Sequence, residues 1–166
     1  PYQKNDKVQF PQFDKKAVKS SLILEHRAQK IFKNMIQTPV IQKCLKDFDL
    51  TLIVSENPEP DAYEDNAHLK EKQASPTLNL GLFHPSLYPE KYTDEEIDAC
   101  VAYVLAHELG HTVVALHTPS LQEQEIKGGF TKTEKQNSDN QKVQRAIEFI
   151  CDSVGAIACL QAGYPC

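Results

Sequence analysis

An α+β fold is what this sequence predicts, with a small sheet packed beside two long helices. Three observations carry that expectation. Apolar residues recur mostly at threes and fours from Asp14 to about Gln37, the period of an amphipathic helix. Two short segments, Leu50–Val54 and Thr77–Phe83, are branched or alternating in the way of strands. Two further helical stretches follow, one opening at Thr93 and one running from about Asn140 to Ala162. A length of 166 residues suits one domain with its own core. The polar first 13 residues, with Pro1 and Pro11 and no clear period, read as a loose arm, which leaves 14–166 as the domain.

In the first helical stretch the recurring residues are Ala17, Leu22, Leu24, Ala28, Ile31, Phe32 and Ile36. Pro39 suits the first turn of a short second helix ending near Lys46. Asn57-Pro58 ends the strand expected at Leu50–Val54, and Ala62-Tyr63 is a candidate short strand inside a turn-rich stretch. Residues 66–75 read as polar loop. Gly81, inside the Thr77–Phe83 strand candidate, marks either a bulge or a close backbone approach. Thr93-Asp94-Glu95-Glu96 is a capping box, and the helix it opens is expected to stop near Pro119. Residues 118–140 are polar and read as loop, and Gly163 is a terminator for the last helix.

Composition narrows the functional classes. The net charge is -5 and no basic cluster stands out, which argues against a nucleic-acid partner. The longest apolar run, Ala99–Ala106, falls far short of a bilayer, so no transmembrane segment is expected. Five cysteines (Cys44, Cys100, Cys151, Cys159, Cys166) form no Cys-x-x-Cys pair, so neither a disulfide framework nor a cysteine zinc site is expected. Cys159 and Cys166 pair if the chain turns back at Gly163; free thiols are the alternative. The sequence starts at Pro1 without a signal-peptide pattern. A periplasmic or secreted location follows if such a segment has been trimmed, a cytoplasmic one otherwise.

His107-Glu108-Leu109-Gly110-His111 carries the chemistry. Residues four apart share one helix face, so the two imidazoles can hold one metal ion from one side. Glu108, beside them, can take a proton from a water that the ion acidifies. A catalytic zinc usually takes a third protein ligand, and two candidates exist. His117 has the spacing of the metzincin third histidine, but Val114 stands where that family has glycine. The only methionine, Met35, precedes the motif instead of forming a turn after it. Glu148 lies on the last helix, one turn before Asp152. From there Glu148 can complete the site, and Asp152 can accept the other ring N–H of a ligating histidine.

The two motifs together resemble the gluzincin metallopeptidases of the HtpX/BepA type, relatives of the CAAX-prenyl protease. In that family His-Glu-x-x-His on one helix is followed by Glu-x-x-Ala-Asp on a later one. Here the second motif is Glu148-Phe149-Ile150-Cys151-Asp152, with Cys151 in the alanine place, and the last helix ends Ala162-Gly163-Tyr164-Pro165 as the family's does. The resemblance covers about residues 50–166. It implies a zincin architecture, zinc held by His107, His111 and Glu148, Glu108 as general base and Asp152 as the carboxylate behind a histidine. It also implies a zinc endopeptidase acting on protein or peptide substrates, docked along an edge strand that Thr77–Phe83 is expected to supply. The alternative is a zinc-containing peptide-binding or chaperone-like module with little turnover. Two departures stand out. The family's Asn-Ala-x-Ala segment appears as Asp61-Ala62-Tyr63-Glu64, and no basic residue follows Pro165 to steady a transition state. His117, His84, Tyr88 and Tyr103 are the candidates for that last role.

Overall fold

A computed structural model describes residues 17–121 and 134–165. The expected arm at 1–13, residues 122–133 of the expected loop, and Cys166 lie outside the described residues. The architecture is α+β, mostly helical, with two small sheets against one helical core.

Helix α1 (Ala17–Ile36) buries Ala28, Ile31, Phe32 and Met35, the stripe that its period announces, while Leu22 and Ile23 face outward. Arg27 ties it to the rest, pairing with Asp98 at 2.5 Å and lying 4.9 Å over the Phe83 ring. The short helix α2 (Pro39–Cys44) starts at its proline as expected.

The strand expected at Leu50–Val54 is two pieces in two sheets. Strand β1 (Asp49–Leu50) pairs in parallel with β4 (Gln73–Ala74), and β2 (Ile53–Ser55) pairs in parallel with β5 (Thr77–Asn79). The break faces Ser75-Pro76, where proline has no N–H to give the ladder. The loop expected at 66–75 holds β4 and a 3-10 turn at Leu69–Glu71. Strand β3 (Ala62–Tyr63), expected from sequence, pairs antiparallel with β5, so the order is β2-β5-β3. The segment expected to be strand through Phe83 turns into 3-10 helix at Leu80–Phe83. Gly81 explains the turn by the second of its two readings. Its backbone lies so close to Pro58 that a Cβ would stand 2.0 Å from the Pro58 carbonyl oxygen.

Helix α3 (Asp94–His117) opens on the capping box that Thr93 and Glu96 announce: each side chain accepts from the other's backbone N–H, at 3.2 and 2.8 Å. Val101, Ala102, Leu105, Ala106 and Leu109 are fully buried, which makes α3 the core of the molecule. By length and apolar content it would suffice to cross a membrane, the one such helix among the described residues, yet most of that stretch is buried here. Helix α4 (Glu134–Ala162) begins before the expected Asn140. Residues Glu134–Asp139 carry no apolar side chain, so no period betrays the helix there. It ends at Gly163 (φ 80°), with Gly163 N–H donating to Leu160 and Tyr164 N–H to Cys159, a Schellman stop.

The contact between α3 and α4 is the principal packing of the fold. The helices run antiparallel, Gly110 against Cys151 and Tyr103 against Gly155. A Cβ on Gly110 would sit 2.7 Å from the Cys151 Cα, so the axes come this close only because position 110 has no side chain. The apolar character of α4 around Glu148 is one-sided: Ile147 and Val154 are buried, whereas Phe149 is 73% exposed.

Gly110→Ala should therefore lower the unfolding free energy by roughly 1–3 kcal/mol, the usual cost of overpacking a tight contact. Gly163→Ala meets nothing within 4 Å and is strained only by its left-handed backbone, at about 1–2 kcal/mol. Urea unfolding of both, with metal-binding titrations alongside, separates them: only the first should also weaken the metal centre.

Candidate metal centre

Helical spacing puts His107 and His111 one turn apart on α3, their rings 5.2 Å apart between centroids and nearly perpendicular. Helix α4, drawn in by Gly110, lays the Glu148 carboxylate across both. Its Oε2 stands 3.2 Å from His107 Nε2 and its Oε1 3.5 Å from His111 Nε2. Donor atoms on a tetrahedral zinc with bonds of about 2.0–2.2 Å stand roughly 3.3–3.5 Å apart. Each spacing is of that order, with a different oxygen of Glu148 facing each ring, so imidazole nitrogens and carboxylate oxygens of the kind zinc takes stand close together. The described residues also offer two overlapping groups whose ligand atoms all lie within 4.8 Å, His107–His111–Cys151 and His107–Glu148–Asp152. This cluster can hold a metal ion, and Glu148 and Asp152, about half exposed, leave it open to solvent.

Asp152 fixes the first histidine. Its Oδ1 is 2.9 Å from His107 Nδ1 and accepts from the Tyr103 hydroxyl at 2.8 Å. A carboxylate that accepts from Nδ1 supports the tautomer in which Nε2 keeps its lone pair for a ligand. Burial, and then the hydrogen bond and charge of Asp152, push the Tyr103 phenol up to about 12, so it remains a donor across the physiological range.

Glu108 is placed differently from the other two carboxylates. Burial first, then the charges of Asp61 and Glu148, push its carboxyl up to about 7, against the pull of His107 and of the Glu64 backbone N–H. Glu64 directly follows β3, so the edge of the sheet reaches the base. Along the same face of α3, toward its N-terminus, Tyr92, Ala99, Cys100, Tyr103 and Val104 line a largely apolar groove.

The residues expected elsewhere are accounted for. His117 Nε2 lies 2.6 Å from the Cys44 carbonyl, apart from the cluster. His84 Nδ1 meets Ser86 Oγ at 2.6 Å, and the Tyr88 hydroxyl donates to the Leu82 carbonyl. Of the four residues considered for steadying a transition state, Tyr103 hydrogen-bonds into the cluster, its hydroxyl donating to Asp152. The expectation that Thr77–Phe83 offers an edge for substrate is corrected: β5 is paired on both sides, and β3 is the outer strand beside α3. Sequence reasoning had no role for Tyr103 behind Asp152, although its spacing of four from His107 was the available signal. It also gave Cys151 no part in the centre.

Asp152→Ala should weaken zinc affinity by roughly 10–100-fold, the usual effect of losing the group behind a ligating histidine; competition with a chromogenic chelator measures it. Glu108 gives a pH signature in metal-free protein. Its carboxyl is raised from 4.5 to about 7, so the stability associated with its neutral form is complete below 4.5 and is lost as pH rises through 7. Glu108→Gln should thus melt with the parent near about pH 4 and above it near about pH 8. Equal melting temperatures at both would contradict the burial of this charge.

No protein-family model, no curated protein and no solved structure matches the chain.

Proposed function

We propose that the chain is a zinc-dependent endopeptidase of gluzincin type, hydrolysing peptide bonds of protein or peptide substrates. The observation that carries this reading is the single carboxylate of Glu148 spanning the Nε2 atoms of His107 and His111, with a half-buried Glu108 beside them. Zinc, when bound, supplies a Lewis acid that polarises the scissile carbonyl and acidifies water. His107, His111 and Glu148 would hold it, and Asp152, itself held by Tyr103, would keep His107 in the ligating tautomer. Glu108 takes a proton from the attacking water at its carboxylate and passes it to the leaving amine nitrogen. The same carboxyl serves first as base and then, carrying that proton, as acid. Substrate lies extended along β3 and adds backbone hydrogen bonds to the sheet. The apolar groove beside Tyr103 accommodates one of its side chains.

A second reading, a zinc-containing peptide-binding or chaperone-like module with little turnover, is favoured by one observation. The hydroxyl of Tyr103 is engaged with Asp152, and His84, Tyr88 and His117 have partners outside the cluster. Digestion of casein by zinc-loaded protein decides between the two. Under the peptidase reading the parent cuts, and Glu108→Gln keeps its fold and one zinc per chain while losing about 10²–10⁴-fold in rate. Equal cutting by both removes Glu108 from the chemistry. Zinc binding without cutting by the parent favours the module, and no zinc uptake at all overturns both readings.

A further inference from the structure

Cys151 occupies an unusual place. It is fully buried on the face of α4 that meets α3, its backbone against Gly110 and its neighbours Val114 and Ile147. It lies three residues after Glu148 and one before Asp152. Its Sγ and one ring nitrogen each of His107 and His111 all stand within 4.8 Å of one another. The separation of sulfur and nitrogen donors on a tetrahedral zinc, from bonds of about 2.3 and 2.0 Å, is roughly 3.5 Å. A shift of about an ångström in side chains alone spans that difference.

We propose that Cys151 is a fourth protein ligand, so that the centre has a closed state in which His107, His111, Glu148 and the Cys151 thiolate hold the metal together. This rests on the reading of His107, His111 and Glu148 as zinc ligands. In forming the metal–sulfur bond the thiol releases its proton to solvent, and the sulfur takes the coordination position that a reacting water requires. Four protein ligands make a structural zinc site, and three with an open position make a catalytic one. The closed state is therefore latent, and withdrawal of one side chain converts it. A thiolate also tilts the centre toward soft, thiophilic ions and away from magnesium or calcium. The donor competing for that position comes from the same turn of α4 as Glu148, so access to the metal is governed by how α4 sits on α3.

Cobalt(II) titration of the full chain tests this without reference to activity. Cobalt bound by His107, His111 and Glu148 shows visible ligand-field absorption whether or not sulfur is present. Coordination by Cys151 adds a thiolate-to-cobalt charge-transfer band in the near ultraviolet. The expected result is that band in the parent and in Cys100→Ala, and its loss in Cys151→Ala with visible absorption retained. Cys151→Ser, nearly isosteric, serves if the alanine variant does not fold. Zinc affinity should fall in the same variants by more than the roughly 10–100-fold typical of losing a group behind a ligand. Visible absorption without the charge-transfer band in the parent, or a band that persists in Cys151→Ala, overturns the role of Cys151 and leaves the peptidase reading standing. Absence of any cobalt spectrum overturns both.

Discussion

The approach of α4 onto α3 at Gly110 is the constraint on which the rest depends. Each helix alone carries half a centre: two imidazoles on one, two carboxylates on the other. Side chains of Glu and Asp are short, so the carboxylates reach the rings only if the axes come closer than an ordinary helix pair of about 8–10 Å separation permits at its wide end. Gly110 removes the side chain that would hold them apart, and Gly155 does the same against Tyr103 two turns along. The glycine inside the His-Glu-x-x-His motif is thus a packing residue whose effect is chemical. The buried residues around it, Leu105, Leu109, Val114, Ile147 and Cys151, make that approach favourable, because it removes apolar surface from water.

Much of this was legible in the sequence, and the parts that were not have physical reasons. The capping box at Thr93, the proline start of α2 and the glycine stop at Gly163 are local devices whose energetics lie within a few residues, and each stands where the sequence puts it. The spacing of four that unites His107 with His111, and Glu148 with Asp152, is equally local. The strands were less legible. Whether Leu50–Val54 forms one strand depends on what faces it, and Pro76, more than twenty residues away, breaks the ladder. The reach of Thr77–Phe83 depends on Pro58 pressing against Gly81. The start of α4 was invisible because Glu134–Asp139 offers helix-compatible but wholly polar residues. The spacing of four puts Tyr103 on the face of His107, but that Asp152 stands opposite both depends on which turn of α4 faces which turn of α3, a tertiary fact.

The sheet stands in a similar relation to the centre. Strand β3 is only two residues long, yet it is the outer strand on the side of α3, and the chain leaves it directly into Glu64. The Glu64 backbone N–H is one of the groups that lower the pKa of Glu108, opposing its burial. A few residues on, Asn66 accepts from the fully buried Thr112 at 2.8 Å and takes a left-handed backbone (φ 55°) in doing so. Two polar contacts thus pin this stretch to α3, one within the His107–His111 turn and one directly after it. They fix the distance between a strand edge and Glu108, which is the geometry the proposed peptidase reading depends on.

The electrostatics of the cluster explain why three carboxylates are tolerated around two imidazoles. Glu148 and Asp152 are about half exposed, so water screens much of their charge. Glu108 lies deeper and bears the consequence: desolvation penalises its charged form, and the charges of Asp61 and Glu148 add to the penalty. A divalent cation held between Glu148 and the two rings would neutralise one of those charges and face Glu108 with a positive centre. That arrangement would favour the ionised form of Glu108, the form the proposed reaction needs. The anionic groups that raise Glu108 in metal-free protein are the same ones that would attract the ion. The cluster is therefore self-opposed without a cation, and the imbalance itself is a force toward binding one. Neutral imidazoles alone would exert no such pull, which is why the carboxylates of α4 matter as much as the histidines of α3.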